Sequence, residues 1–212
     1  MNYNPNDWVG QWENFELYIS SSDPYLQTAW NEAEAAGAAL PMFQHGVKSF
    51  WKAACATATP ANPHTLGGWK IEPETENRLK IAWLAEDGSV LGSAVYHLKT
   101  VLEKGLEGKE NAVFEAENVP KEAGAEWPFG YLLFMEPMPA RSARQSGGLL
   151  SHLHFQYGSS FEQLIDPETQ TLRNPRWYAT MCDGDGTILE KCNIVRALHR
   201  LPKWTQLPEV DK

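Results

Sequence analysis

Leu149-Leu150-Ser151-His152-Leu153-His154-Phe155-Gln156-Tyr157-Gly158 alternates side chain by side chain, as a β-strand does. Leu149, Leu153, Phe155 and Tyr157 fall on one face, and His152, His154 and Gln156 on the other. Successive residues of one face stand about 6.5–7 Å apart along a strand, so two imidazoles at this spacing can close on one small cation. The same alternation also describes a half-buried strand whose polar side meets water, and the pattern alone leaves both readings open.

Working outward, the neighbouring sequence is strand-rich. Arg78–Ala85 and Ser89–Lys99 flank Asp87-Gly88, a strong hairpin signal. Ala112–Glu117 and Phe129–Glu136 follow as strands, and Pro137-Met138-Pro139 breaks the second before a run of small and polar residues to Gly148. Trp69–Ile71 reads as a short strand. Arg176–Cys182 and Thr187–Leu198 read as a last hairpin around Asp183-Gly184-Asp185-Gly186. That turn shares its first positions with a calcium loop but lacks the later ligands. Ser159-x-x-Glu162 has the form of a capping box, placing a helical turn at Phe161–Ile165.

Helices gather early. Asp23 and Pro24 form a helix start, with Tyr25, Leu26, Ala29, Trp30 and Ala33 at helical spacing, giving a helix over about 23–36. A second covers about 43–55. Trp12–Ile19 reads as strand, or strand passing into loop. Many short antiparallel strands after two early helices predict a mainly β chain. The expected fold is one calycin or lipocalin-like barrel over residues 1–212, the barrel itself over about 69–199, with two or three short helices. Gly10-x-Trp12 near the start is the mark such barrels carry on their first strand.

Composition narrows the function. The 212 residues are 42% hydrophobic and 21% charged, with nine tryptophans and a net charge of -9. That charge argues against nucleic acid or an anionic membrane as the main partner. No apolar run is long enough to span a membrane. No basic-then-apolar leader opens the chain, which reads as cytoplasmic as given and periplasmic or secreted if a leader has been trimmed. Three irregularly spaced cysteines, Cys55, Cys182 and Cys192, read as free thiols. In the predicted last hairpin, Cys182 faces Thr187 and Cys192 falls opposite Trp177.

The chain resembles the ZinT (YodA-type) zinc-binding family over most of residues 7–178. The resemblance runs through Asp7-Trp8-x-Gly10-x-Trp12, Tyr25-Leu26-Gln27, Tyr96 to Lys104-Gly105, Val113-Phe114-Glu115, and Asn174 to Tyr178. Its strongest part is Ser151-His152-Leu153-His154-Phe155-x-Tyr157-Gly158 with Phe161-Glu162-Gln163-Leu164. The resemblance implies a lipocalin-like barrel with added helices, and zinc held by His152 and His154. The family's third histidine ends the preceding strand. Here that stretch matches Phe134-Met135-Glu136-Pro137, with proline in the histidine's place and a longer loop to His152.

Glu136, at the end of that strand, is the candidate replacement ligand, and an exposed strand-end glutamate is the alternative. His97 is a second candidate. The expected partner is a divalent metal ion, zinc first. The alternative is a barrel that has lost the metal and takes an apolar small molecule in its cavity. An open zinc site would also activate water. However, the sequence holds no nucleophile elbow and no recognisable acid–base pair near the strand, so catalysis ranks last.

Overall fold

The computed structural model describes residues 5–75, 77–117, 127–143 and 149–210. Eight antiparallel strands close a barrel in the order β1, β10, β7, β6, β5, β4, β3, β2. They are β1 (Gly10–Asn14), β2 (Leu66–Thr75), β3 (Arg78–Ala85), β4 (Val90–Leu102), β5 (Asn111–Ala116), β6 (Tyr131–Phe134), β7 (His152–Gly158) and β10 (Ala179–Asp183). A two-stranded ribbon of β8 (Ile165–Asp166) and β9 (Thr171–Leu172) stands apart. Among the described residues five α-helices accompany the strands: α1 (Glu16–Ser20), α2 (Pro24–Gly37), α3 (Val47–Ala54), α4 (Phe161–Leu164) and α5 (Ile188–Leu198). The fold is the mainly β, antiparallel, lipocalin-like barrel that the alternation predicts. No helix among the described residues is long and apolar enough to cross a membrane.

Alternation sorts each strand between the barrel core and clusters packed on its outer face. Trp12, Trp69, Trp83, Tyr96, Phe114, Phe134, Phe155 and Tyr157 point inward and are almost completely buried. An eight-stranded barrel is just wide enough for side chains to fill it, and these aromatics do so. Their polar edges are matched as well. Trp83 Nε1 donates to Tyr96 Oη (2.9 Å), whose hydroxyl donates to the Phe129 carbonyl (2.7 Å). Trp12 donates to the Trp8 carbonyl (2.7 Å) and Trp8 to the Met135 carbonyl (2.9 Å), which ties off one end. At that end Gly10, at φ +129°, leaves room for the Arg141 guanidinium, which donates to the Val9 carbonyl (2.8 Å) and lies over the Trp12 ring. A Cβ at Gly10 would overlap that guanidinium, which is the physical content of the Gly10-x-Trp12 pattern.

The second core lies outside the wall. Phe15, Trp30, Val47, Cys55, Cys182, Cys192 and Val195 join α1, α2, α3 and α5 to the outer face of β10. The N-terminus of α2 forms as expected, with Asp23 Oδ1 accepting from the Tyr25 (2.9 Å) and Leu26 (3.1 Å) backbone N–H groups. The helix α3 takes its cap from another element. Glu34 of α2 accepts from the Val47 (2.8 Å) and Lys48 (3.0 Å) N–H groups, and Gly46 supplies the positive φ that turns the chain into the helix.

Several expected elements differ. The strand from Trp12 stops at Asn14, because Asn14 Oδ1 accepts from Glu16 N–H (3.0 Å) and starts α1. The buried Glu16 carboxylate then accepts from both N–H and O–H of Thr57 (2.7 Å each). The last hairpin is a strand followed by a helix. Thr187 and Glu190 cap each other reciprocally, and this capping box launches α5 where a strand was expected. The cysteine register drawn from that hairpin falls with it, although all three thiols are free and buried. The capping box expected at Ser159 and Glu162 does not form. Gln163 Oε1 accepts from Ser159 N–H instead (2.9 Å). The barrel also starts earlier than expected, since β1 closes it between β2 and β10.

Candidate functional site

On β7, Leu153, Phe155 and Tyr157 enter the barrel core, so His152, His154 and Gln156 face outward. The neighbouring strand β10 is antiparallel, with Cys182 opposite His152 and Thr180 opposite His154. Directly opposed side chains of this kind have Cβ atoms about 4.5–5.5 Å apart, so two imidazoles, a hydroxyl and a thiol share one patch of wall. The imidazole rings stand 6.0 Å apart, centroid to centroid, nearly perpendicular.

The patch is roofed by helices. Trp51 and Cys55 at the end of α3 and Ile194, Ala197 and Leu198 of α5 lie over it, with Phe15 and Leu149 at the side. Between wall and roof remains a cavity of about 220 Å³ into which His152, His154, Thr180 and Cys182 look. The barrel lumen is packed with aromatic rings, so this apolar space lies outside the barrel rather than within it, where a lipocalin-like ligand was expected.

A carboxylate reaches His154 from another quarter. After β4 the chain makes a tight 3₁₀ turn, Leu106–Gly108, anchored by the fully buried Leu106. Asn111 Oδ1 accepts from Leu106 N–H (2.5 Å), and Gly105 N–H donates to the Lys109 carbonyl (2.7 Å). The turn holds Glu107 in the left-handed region, at φ +54°, which costs a non-glycine residue about 1 kcal/mol or more. Its Oε1 comes within 3.5 Å of His154 Nε2, while its Oε2 accepts from Lys109 Nζ (3.0 Å).

Hydrogen bonding assigns the ring protons. Thr180 Oγ1 donates to the Tyr178 carbonyl (2.7 Å) and stands 2.8 Å from His154 Nδ1. With its one proton committed, the hydroxyl accepts, so Nδ1 carries the hydrogen and Nε2 the lone pair. Nε2 faces the Glu107 carboxylate at 3.5 Å. Two acceptors opposed in this way call for a positive charge between them, either a proton on Nε2 or a metal cation. His152 Nδ1 faces the Leu150 carbonyl oxygen at 3.5 Å, which likewise places its proton on Nδ1 and leaves Nε2 as a donor of electrons.

Titration follows the same geometry. Burial pushes His152 down to about 4, with His154 adding to the effect, so its ring is neutral at pH 7. The His154 contact holds Glu107 down to about 2, helped by Lys109 and opposed by burial. Burial pushes the Cys55 thiol up to about 12 and raises Cys182 strongly, so both are protonated rather than thiolate.

The other predicted residues are elsewhere. Glu136 is exposed beyond the end of β6, in phase with Leu132 and Phe134 of the barrel interior. Among the described residues no hydrogen bond or ion pair joins it to either imidazole. His97 lies outward on β4, between Glu115 (3.6 Å) and Glu117 (3.5 Å), with β5 and β6 separating its strand from β7. Among the described residues, no three or more His, Cys, Asp or Glu side chains are gathered as a ready-made metal-binding group. Glu107, Thr180, Cys55 and Cys182 were not anticipated as part of this site. Thr180 and Cys182 carry the only local signal, two polarisable groups at strand spacing beside a predicted turn. No family model, no curated protein and no solved structure matches this chain.

Proposed function

We propose that the protein reversibly binds a divalent metal ion, zinc by the chemistry of its donors, at His152 and His154, with Glu107 in the place expected of Glu136. The observation that carries this reading is the approach of the Glu107 carboxylate to His154, Oε1 to Nε2 3.5 Å, beside the second imidazole of the strand. Nitrogen and oxygen ligands of one tetrahedral zinc, each about 2.0–2.1 Å from the metal, lie about 3.3–3.4 Å from one another. Two imidazoles on one such ion have ring centres about 5 Å apart. The observed 6.0 Å thus asks for a side-chain adjustment of about 1 Å. Thr180 supplies the outer hydrogen bond that fixes a liganding imidazole's orientation and tautomer.

The likeness of the Ser151–Gly158 strand to the ZinT family supports the same donors. Water would complete the coordination, and an ion held this way suits trafficking or storage. Zinc titration of the metal-stripped chain by calorimetry tests the reading. One ion per chain, with binding lost in the His152→Ala/His154→Ala double variant, is the expected result. Absence of binding by the intact chain, or its persistence in the double variant, overturns it.

A further inference from the structure

We propose that, in the metal-free protein, the cavity between the barrel wall and the helices binds a small neutral aromatic molecule about one substituted ring in size, bearing one hydrogen-bond donor. Its walls are Phe15, Trp51, Leu149, Ile194 and Leu198, with the Cys55 and Cys182 thiols, and none of its lining residues is Lys, Arg, Asp or Glu. An apolar protein cavity of about 150 Å³ stays dry and admits benzene, so about 220 Å³ leaves room for a ring and a substituent. Phe15 and Trp51 meet edge to face, 6.5 Å between centroids, and present ring surfaces against which a third aromatic can pack. An anionic ligand would find no Lys or Arg in these walls and would lose its hydration uncompensated.

The polar end of the cavity sets the donor requirement. The Thr180 hydroxyl is committed to the Tyr178 carbonyl, and His154 Nδ1 to Thr180. His152, with Nδ1 turned to the Leu150 carbonyl, leaves Nε2 as the acceptor for a ligand O–H or N–H. An outer groove lined by the exposed Leu40 and Met42 adjoins the cavity and shares Trp51 and Leu198 with it. His152 Nε2 is also the atom a bound metal would take, so ligand and ion compete for it and the site is tested on metal-free protein.

Calorimetric titration of the full metal-stripped chain with phenol, and with toluene as the donor-free match, is the experiment. One saturable site is expected, with toluene about tenfold weaker than phenol and binding lost in Ala197→Phe, which fills the cavity. Circular dichroism and thermal unfolding check that this variant folds. Should it not fold, the indole N–H resonance of Trp51, assigned with Trp51→Phe, reports the site in the wild-type chain. A phenol-dependent shift of that resonance supports the proposal. No saturable phenol binding, binding undiminished in a folded Ala197→Phe, or shifts that leave Trp51 untouched overturn it. Failure of the zinc titration alone leaves it standing.

Discussion

His154 gives its two nitrogens different partners: Nδ1 meets a hydroxyl that has spent its proton, and Nε2 meets a carboxylate. The difference makes Glu107 the residue on which the metal reading turns. Glu107→Gln keeps the shape and removes the charge, and zinc affinity is expected to fall about 10–100-fold. Glu136→Gln should leave affinity unchanged, since Glu107 rather than Glu136 meets His154. Both are read by the same calorimetric titration.

His152 carries a second prediction. Its native value near 4 lies below the ordinary value near 6.5, so between the two the unfolded chain holds the proton that the native ring refuses. Stability of the metal-free protein therefore falls as pH drops from about 6.5 to about 4. Glu107 acts in a lower window. Its contribution is complete above its unfolded value and is lost as pH falls through about 2. Urea unfolding at pH 7, 5 and 4 should show a smaller pH dependence in His152→Asn than in the wild-type chain. An equal slope would contradict the assignment.

At the scale of elements, β7 was legible from strict alternation, and the structure puts His152–Tyr157 on the predicted faces, while Leu149, expected beside Leu153, precedes the strand and lines the outer cavity with the imidazoles. The segment after Gly186 was not. Thr187-Ile-Leu-Glu-Lys-Cys-Asn-Ile-Val offers apolar residues at both strand and helix spacing, and the turn before it favoured a hairpin. Thr187-x-x-Glu190 is the local feature that breaks the tie, with Thr187 Oγ1 accepting from Glu190 N–H (3.3 Å) and Glu190 Oε2 from Thr187 N–H (2.9 Å). Removing it by Thr187→Ala should cost about 1 kcal/mol, measured by urea unfolding. The Glu107 turn was hidden for a different reason. Its position depends on Asn111, on the buried Leu106 and on β5 and β6 closing the barrel between β4 and β7, none of which local pattern expresses.

For the whole molecule, filling the lumen with aromatic rings moves the available space to the outside of the wall, where the helices roof it. Lumen and site are then coupled through one strand, since Phe155 packs between Trp69 and Tyr157 inside while His154 and Gln156 face out. Phe155→Ala should cost about 3–5 kcal/mol in urea unfolding, as a fully buried ring leaves a cavity its neighbours cannot collapse into.

The most direct measurement is an anomalous difference map at the zinc edge from crystals grown with zinc. The account predicts one strong peak about 2.0–2.1 Å from Nε2 of both His152 and His154 and from a Glu107 carboxylate oxygen. A peak ligated by other residues, or none on the outer face of β7, would contradict it.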